Sequence, residues 1–64
     1  MNHLREARLL LGLTQEQLAQ SIDVSVRRLR AYEQGDAIPS TVLIRLAVLA
    51  NVTTDYLLGL TERN

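Results

Sequence analysis

Three arginines fall at Arg27, Arg28 and Arg30, the densest grouping of one functional group in this chain. A guanidinium is charged at every physiological pH and carries forked donors that match a carboxylate, a phosphate or the O6/N7 edge of guanine. Other chemistries are thinly supplied. The chain has no cysteine and a single histidine, His3, which excludes a thiolate centre and any metal site built on histidines. No glycine-rich phosphate loop and no paired carboxylates occur, so the residues point to no enzyme, cofactor or metal. All seven basic residues are arginine, and seven acids balance them to a formal net charge of zero. Any anionic partner must therefore be drawn by where the arginines stand, not by the overall field.

Sixty-four residues make one domain, 1–64, near the lower limit for a single unstapled core. The core must be aliphatic, because Tyr32 and Tyr56 are the only aromatics. No apolar run approaches the ~20 residues that span a bilayer. The opening Met-Asn-His-Leu-Arg-Glu has no signal-peptide pattern, and the expected setting is cytoplasmic, near the nucleoid.

Helical punctuation is dense, and strand alternation is missing. Gly12 closes a helix over about 3–11, with Leu4 and Leu11 on its inward stripe. Thr14 and Gln17 form a capping box that opens a second helix over 15–21, with Leu18, Ala19 and Ile22 turned inward. Ser25 caps a third over 26–34, Val24 and Leu29 stand at staple spacing, and Gly35 ends it. Pro39-Ser40 opens a fourth over 41–50 that Asn51 ends, and Thr53 or Thr54 caps a short fifth over 54–58. The fold class is all-α: a compact five-helix bundle.

Helices two and three, joined by so short a turn, have the spacing of a helix-turn-helix unit. In such a unit one helix lies across a phosphate backbone and the other enters the major groove. With Leu29 at the core centre and 100° per residue, Tyr32 and Glu33 sit beside it. Arg27, Ala31 and Gln34 take the opposite face, and Arg28 and Arg30 flank that face. The outer face thus carries arginine and no acid, as a groove-reading helix requires. Val26, at the first helical position, stands ready to pack on a thymine methyl. An arginine cluster on its own is more often just a solvated face. The capped helix pair beside it favours double-stranded DNA as the partner.

Leu4-Arg5-Glu6, Arg8 and Gly12-Leu13-Thr14-Gln15-Glu16-Gln17-Leu18-Ala19 resemble the opening of the phage-repressor/Cro-type family, also called the xenobiotic-response-element family. Val24-Ser25, Leu29, Tyr32-Glu33-Gln34-Gly35 and Ile38-Pro39-Ser40 are similar to its third helix and following loop. Leu46-Ala47, Leu49, Val52-Thr53 and Asp55-Tyr56-Leu57-Leu58-Gly59 are similar to its end. The resemblance implies a sequence-specific transcription regulator, most often a repressor. It implies that Gln15 contacts the DNA backbone, that Val26, Arg27 and Ala31 face bases, and that Ser25 and Arg28 touch phosphate or sugar, with Arg30 a further phosphate contact. It also implies a largely buried ion pair between Arg8 and Glu33, structural in role. Two acids depart from the pattern: Asp23 stands where the family usually has glycine, and Asp36 lies in a loop expected near phosphate.

The fourth helix is apolar almost all round. With Leu46 inward, Val42, Leu43, Leu49 and Ala50 join it, while Ile44 and Val48 share the opposite face. These two, with Leu57 and Leu60, are expected to form the contact of a symmetric homodimer on a palindromic site. The alternative is a protein-interaction module whose partner is an antirepressor or a toxin. The neutral charge and surplus apolar residues favour that reading, and the acid-free arginine face favours DNA.

Overall fold

The computed structural model describes residues 2–63 and contains five helices: α1 (Leu4–Leu10), α2 (Gln15–Ser21), α3 (Val26–Glu33), α4 (Ser40–Ala50) and α5 (Thr54–Leu57). The all-α expectation holds, and α2 runs as expected. The other expected helices differ by one residue at one or both ends, where helix bounds fray. Pro39 acts as the N-cap of α4, so that helix begins at Ser40. Thr53, not Thr54, caps α5 by accepting from the Tyr56 amide.

All five helices stop in the same manner. After each, a residue with positive φ turns the chain: Gly12, Asp23, Gly35, Asn51 and Gly59. The amide of that residue and the one after it fold back onto the last carbonyls, as in Asp23 N to Gln20 O (3.3 Å) and Val24 N to Ala19 O (3.0 Å). This paired return satisfies carbonyls that a helix end otherwise leaves without partners. The turns after α2 and α4 are short, and α2 packs on α3 and α4 on α5.

The core draws on every helix. Leu4, Leu18, Ile22, Leu29 and Leu57 are fully buried, joined by Ala7, Ala19, Tyr32, Val42, Leu46 and Tyr56. Three leucines expected in or out of this core change places. Leu57 is 0% exposed and belongs to the centre, so it is removed from the expected dimer contact. Its helix has only four residues, and the carbonyl of Leu57 accepts from the His3 amide at 3.0 Å, which draws it beneath α1. Leu11 and Leu49, expected inward, lie exposed. Leu11 falls at the C-cap of α1, where the chain already leaves the helix face that buries Leu4 and Ala7.

His3 ties the two ends of the chain together. Its ring stacks on Tyr56 at 4.5 Å between centroids, and Nδ1 donates to the Tyr56 carbonyl at 2.8 Å. Asn2 adds a second tie by donating to the Tyr32 carbonyl at 2.7 Å.

Candidate nucleic-acid interface

α2 and α3 pack closely, with Leu18, Ala19 and Ile22 facing Leu29 in one cluster. The turn between them is set by Asp23 at φ 59°, a left-handed conformation that aspartate enters more readily than most residues. Val24 is partly buried and packs on the core cluster that includes Leu29. Both helix starts are capped by side chains. Thr14 Oγ1 accepts from the Gln17 amide at 3.1 Å while Gln17 Oε1 accepts from the Thr14 amide at 2.9 Å. Ser25 Oγ accepts from the Arg28 amide at 3.1 Å, which leaves its hydroxyl hydrogen free to donate outward.

The outer face of α3 follows from that frame. Leu29 and Tyr32 are buried, Arg27 and Arg28 are exposed, and together with Ser25 and Ala31 they line one open groove. Neither Arg27 nor Arg28 has a carboxylate within 4.0 Å among the described residues. Val26 sits differently from the other expected base-facing residues. It is half-buried and packed on the core, so only part of its side chain is available to a ligand. Arg30, on the other flank, turns away from this groove and toward α2.

Behind the face runs a polar chain linking three helices. Arg8 Nε donates to Glu33 Oε2 at 2.7 Å and Nη2 to Oε1 at 3.3 Å, while Nη1 donates to the Leu13 carbonyl at 3.0 Å. The two side chains are only 11% and 6% exposed. Glu33 Oε1 also accepts from Gln15 Nε2 at 3.2 Å, and Gln15 Oε1 accepts from Arg30 Nε at 3.1 Å. A carboxylate can only accept and a guanidinium can only donate, so these two partners fix which way the Gln15 amide points. No buried side-chain nitrogen or oxygen among the described residues lacks a partner.

The expected Arg8–Glu33 pair forms, and the fold joins to it Gln15 and Arg30, which the sequence singled out separately. The Gln15–Arg30 link was missed. It pairs two neutral-to-basic residues on different helices, and a wheel drawn for one helix cannot show what faces it. Arg5 is exposed on α1 and lines the groove that also holds Arg8, Gln15, Arg30, Glu33 and Gln34. Of the expected dimer residues, Ile44, Val48 and Leu60 are exposed, the first two at 58% and 76%.

Two short helices with side-chain caps, a left-handed turn between them and an acid-free outer face on the second define a helix-turn-helix protein. The chain belongs to the helix-turn-helix family, of the phage-repressor/Cro type, whose profile matches residues 4–57. It is similar to the HTH-type transcriptional regulator ImmR of Bacillus subtilis (strain 168), with 42% identity over 60 residues. That match covers 92% of this chain but 47% of the relative, so the chain spans about half the length of the curated protein it matches. No solved structure matches the chain significantly.

Proposed function

We propose that this chain is the sequence-reading domain of a transcription regulator, a repressor that inserts α3 into the major groove of DNA. The observation that carries the reading is the exposed, acid-free groove of Ser25, Arg27, Arg28 and Ala31. Arg27 stands opposite the buried Leu29, where a forked donor meets base edges, and a guanine offers it two acceptors. Ala31 lies beside it as a small apolar contact for a thymine methyl. Arg28 and the Ser25 hydroxyl sit at the rim, where phosphates flank a groove. The regulatory role named for the B. subtilis relative supports the same reading.

The protein acts in this reading as a homodimer on a palindromic operator, in the cytoplasm at the nucleoid. A net charge of zero gives a single copy little general attraction to DNA, and two copies reading successive major grooves about 34 Å apart restore affinity through specificity. Ile44, Val48 and Leu60 supply the apolar contact between copies. The same exposed residues also favour a second reading, in which an antirepressor or toxin docks there. Selection of bound duplexes from a random library, followed by anisotropy titration at several salt concentrations, tests both. The expected result is a two-fold symmetric site whose affinity falls steeply with salt, because bound phosphates release counterions. Failure to bind any duplex at low salt would leave the protein-partner reading standing.

A further inference from the structure

α2 ends without a cation of its own, because no basic residue stands in its last turn. The last carbonyls of a helix have no partner within it and carry the negative end of its dipole, so a cationic donor is favoured there. Two of these carbonyls are met by the returning turn, Ala19 O by the Val24 amide and Gln20 O by the Asp23 amide. The carbonyl of Ile22, directly before the left-handed Asp23, is met from another helix: Arg45 Nη1 of α4 donates to it at 3.2 Å. Arg45 has no carboxylate within 4.0 Å among the described residues, so no acid competes for its guanidinium.

α2 packs closely on α3, and α4 on α5. What joins these two pairs is chiefly apolar, with Leu18, Ile22 and Leu29 in one cluster with Val42, Leu46 and Leu57. Apolar contacts carry no direction, so they hold two units together without fixing the angle between them. A hydrogen bond does carry direction. The Arg45–Ile22 bond is the one hydrogen bond among the described residues between the α2–α3 pair and the α4–α5 pair. It closes immediately before the turn that leads to the Ser25 cap and into α3. From this placement we infer that Arg45 is a positioning residue for sequence reading. Held in α4, it fixes the end of α2 and the turn at Asp23, and so the angle at which α3 presents Arg27 and Ala31 to base edges. It does so without touching DNA. A bidentate contact to a base edge depends on that angle, whereas attraction to phosphate varies slowly with distance and depends on it little. Arg45 therefore bears on selectivity more than on general affinity. This role rests on the DNA reading given above and deepens it.

Anisotropy titrations against a duplex recovered by selection and a scrambled duplex of the same length, each across a salt series, test the assignment. Arg45→Met removes the cation and its donors at similar side-chain length. It is expected to weaken binding to the selected duplex severalfold and to leave binding to the scrambled duplex close to wild type. The salt slope should not change, whereas loss of a phosphate contact flattens it by about 0.9. Arg45→Lys keeps a cation and an N–H donor at the end of α2 and is expected to recover most of the loss. Arg45 borders Ile44 and Val48 on α4, so the comparison is repeated on a single half-site in the Val48→Glu background, where the severalfold loss is expected to persist. Without DNA, amide exchange at Asp23 and Val24 is expected to quicken severalfold in Arg45→Met, while the Leu29 amide, bonded to Ser25 O, keeps its wild-type rate. Thermal melts set a temperature at which every variant is folded.

Equal losses on both duplexes with a flattened slope would overturn the assignment, since Arg45 would then be a phosphate contact. A loss that vanishes in the Val48→Glu background would overturn it too, by giving Arg45 to the contact between copies. So would wild-type exchange at Asp23 and Val24 in Arg45→Met, which would spare the major-groove reading. A wild-type chain that binds no duplex would remove that reading and the reading role of Arg45 with it, and the exchange measurement, which needs no DNA, would then decide alone whether Arg45 holds the turn.

Discussion

α3 and α4 are built alike on the inside and oppositely on the outside. Each turns two residues into the same core, Leu29 and Tyr32 from α3, Val42 and Leu46 from α4. Outward, α3 presents Arg27, Arg28 and Arg30, whereas α4 presents Ile44, Val48 and Leu49 and a single arginine, Arg45. The inner spacing is what folding needs, and it carries no information about partners. The outer composition does. Guanidinium groups in water await an anion, and their contacts weaken as salt screens them. Apolar side chains in water await another apolar surface, and contacts of that kind persist in salt. One small domain thus offers two surfaces whose interactions respond oppositely to ionic strength.

The largest loss is expected at Arg8. Removing it leaves the Glu33 carboxylate, at the end of α3, almost enclosed with only Gln15 to face it. Arg8→Ala is expected to cost about 3–5 kcal/mol, a large part of what so small a domain possesses. Circular dichroism should show the chain largely unfolded near room temperature. A melt matching wild type would overturn the role given to the pair.

Leu57→Ala comes next. Leu57 is sealed in the core, and its truncation is expected to cost ~2–5 kcal/mol through lost burial and a residual cavity. Val48→Ala, on the exposed side of α4, should leave the melt within ~0.5 kcal/mol of wild type. Equal losses in the two variants would mean that α4 and α5 are packed otherwise.

On the proposed DNA-facing side, the neighbours Arg27 and Arg28 are expected to differ. Arg27→Ala is expected to cost about 1–3 kcal/mol on a selected site and to relax preference at one base pair. Arg28→Ala should weaken binding to all sequences evenly and flatten the salt slope by about 0.9. Titration of both variants against a selected and a scrambled duplex separates the roles, and identical losses on both duplexes would deny Arg27 its part in reading sequence.

Much of this architecture was legible in the chain because its signals are local. A capping box needs only Thr14 and Gln17, and a helix stop needs only a residue tolerant of positive φ, as at Gly12, Gly35 and Asn51. The angular positions of Arg27, Arg28 and Ala31 follow from one helix and one inward residue. What could not be read depends on how helices meet. Leu57 looked like surface because a four-residue helix has too little periodicity to show a face, and the strand of chain that covers it begins 54 residues earlier, at His3. Arg30 looked like a twin of Arg28. Only the approach of α2, which brings Gln15 to it, distinguishes the two.

Self-association is the next smaller effect. Val48→Glu places a charge on the most exposed apolar position of α4 without touching the core. It is expected to abolish the dimer and the cooperativity of operator binding, and to leave binding to a single half-site intact. Sedimentation with and without DNA measures both, and association unchanged by the substitution would move the contact away from α4.

The smallest effect sharpens the comparison at its hinge. Asp23 holds a left-handed turn immediately before the cap of α3, the position where its family usually has glycine. Glycine enters that region without the Cβ penalty, so Asp23→Gly is expected to stabilise the fold by up to ~1 kcal/mol. The substitution also removes an exposed negative charge close to Arg27 and Arg28, changing the net charge of a neutral chain to positive. Affinity for any duplex should therefore rise modestly at low salt, and the gain should shrink as salt increases, since long-range attraction is screened within about 10 Å at 0.1 M. The fold and the field separate by temperature and salt: the raised melting point should persist at high salt, and the raised affinity should not. A variant that melts higher yet binds no better would show that the charge at Asp23 points away from the DNA, and that the neutrality of the chain is set elsewhere.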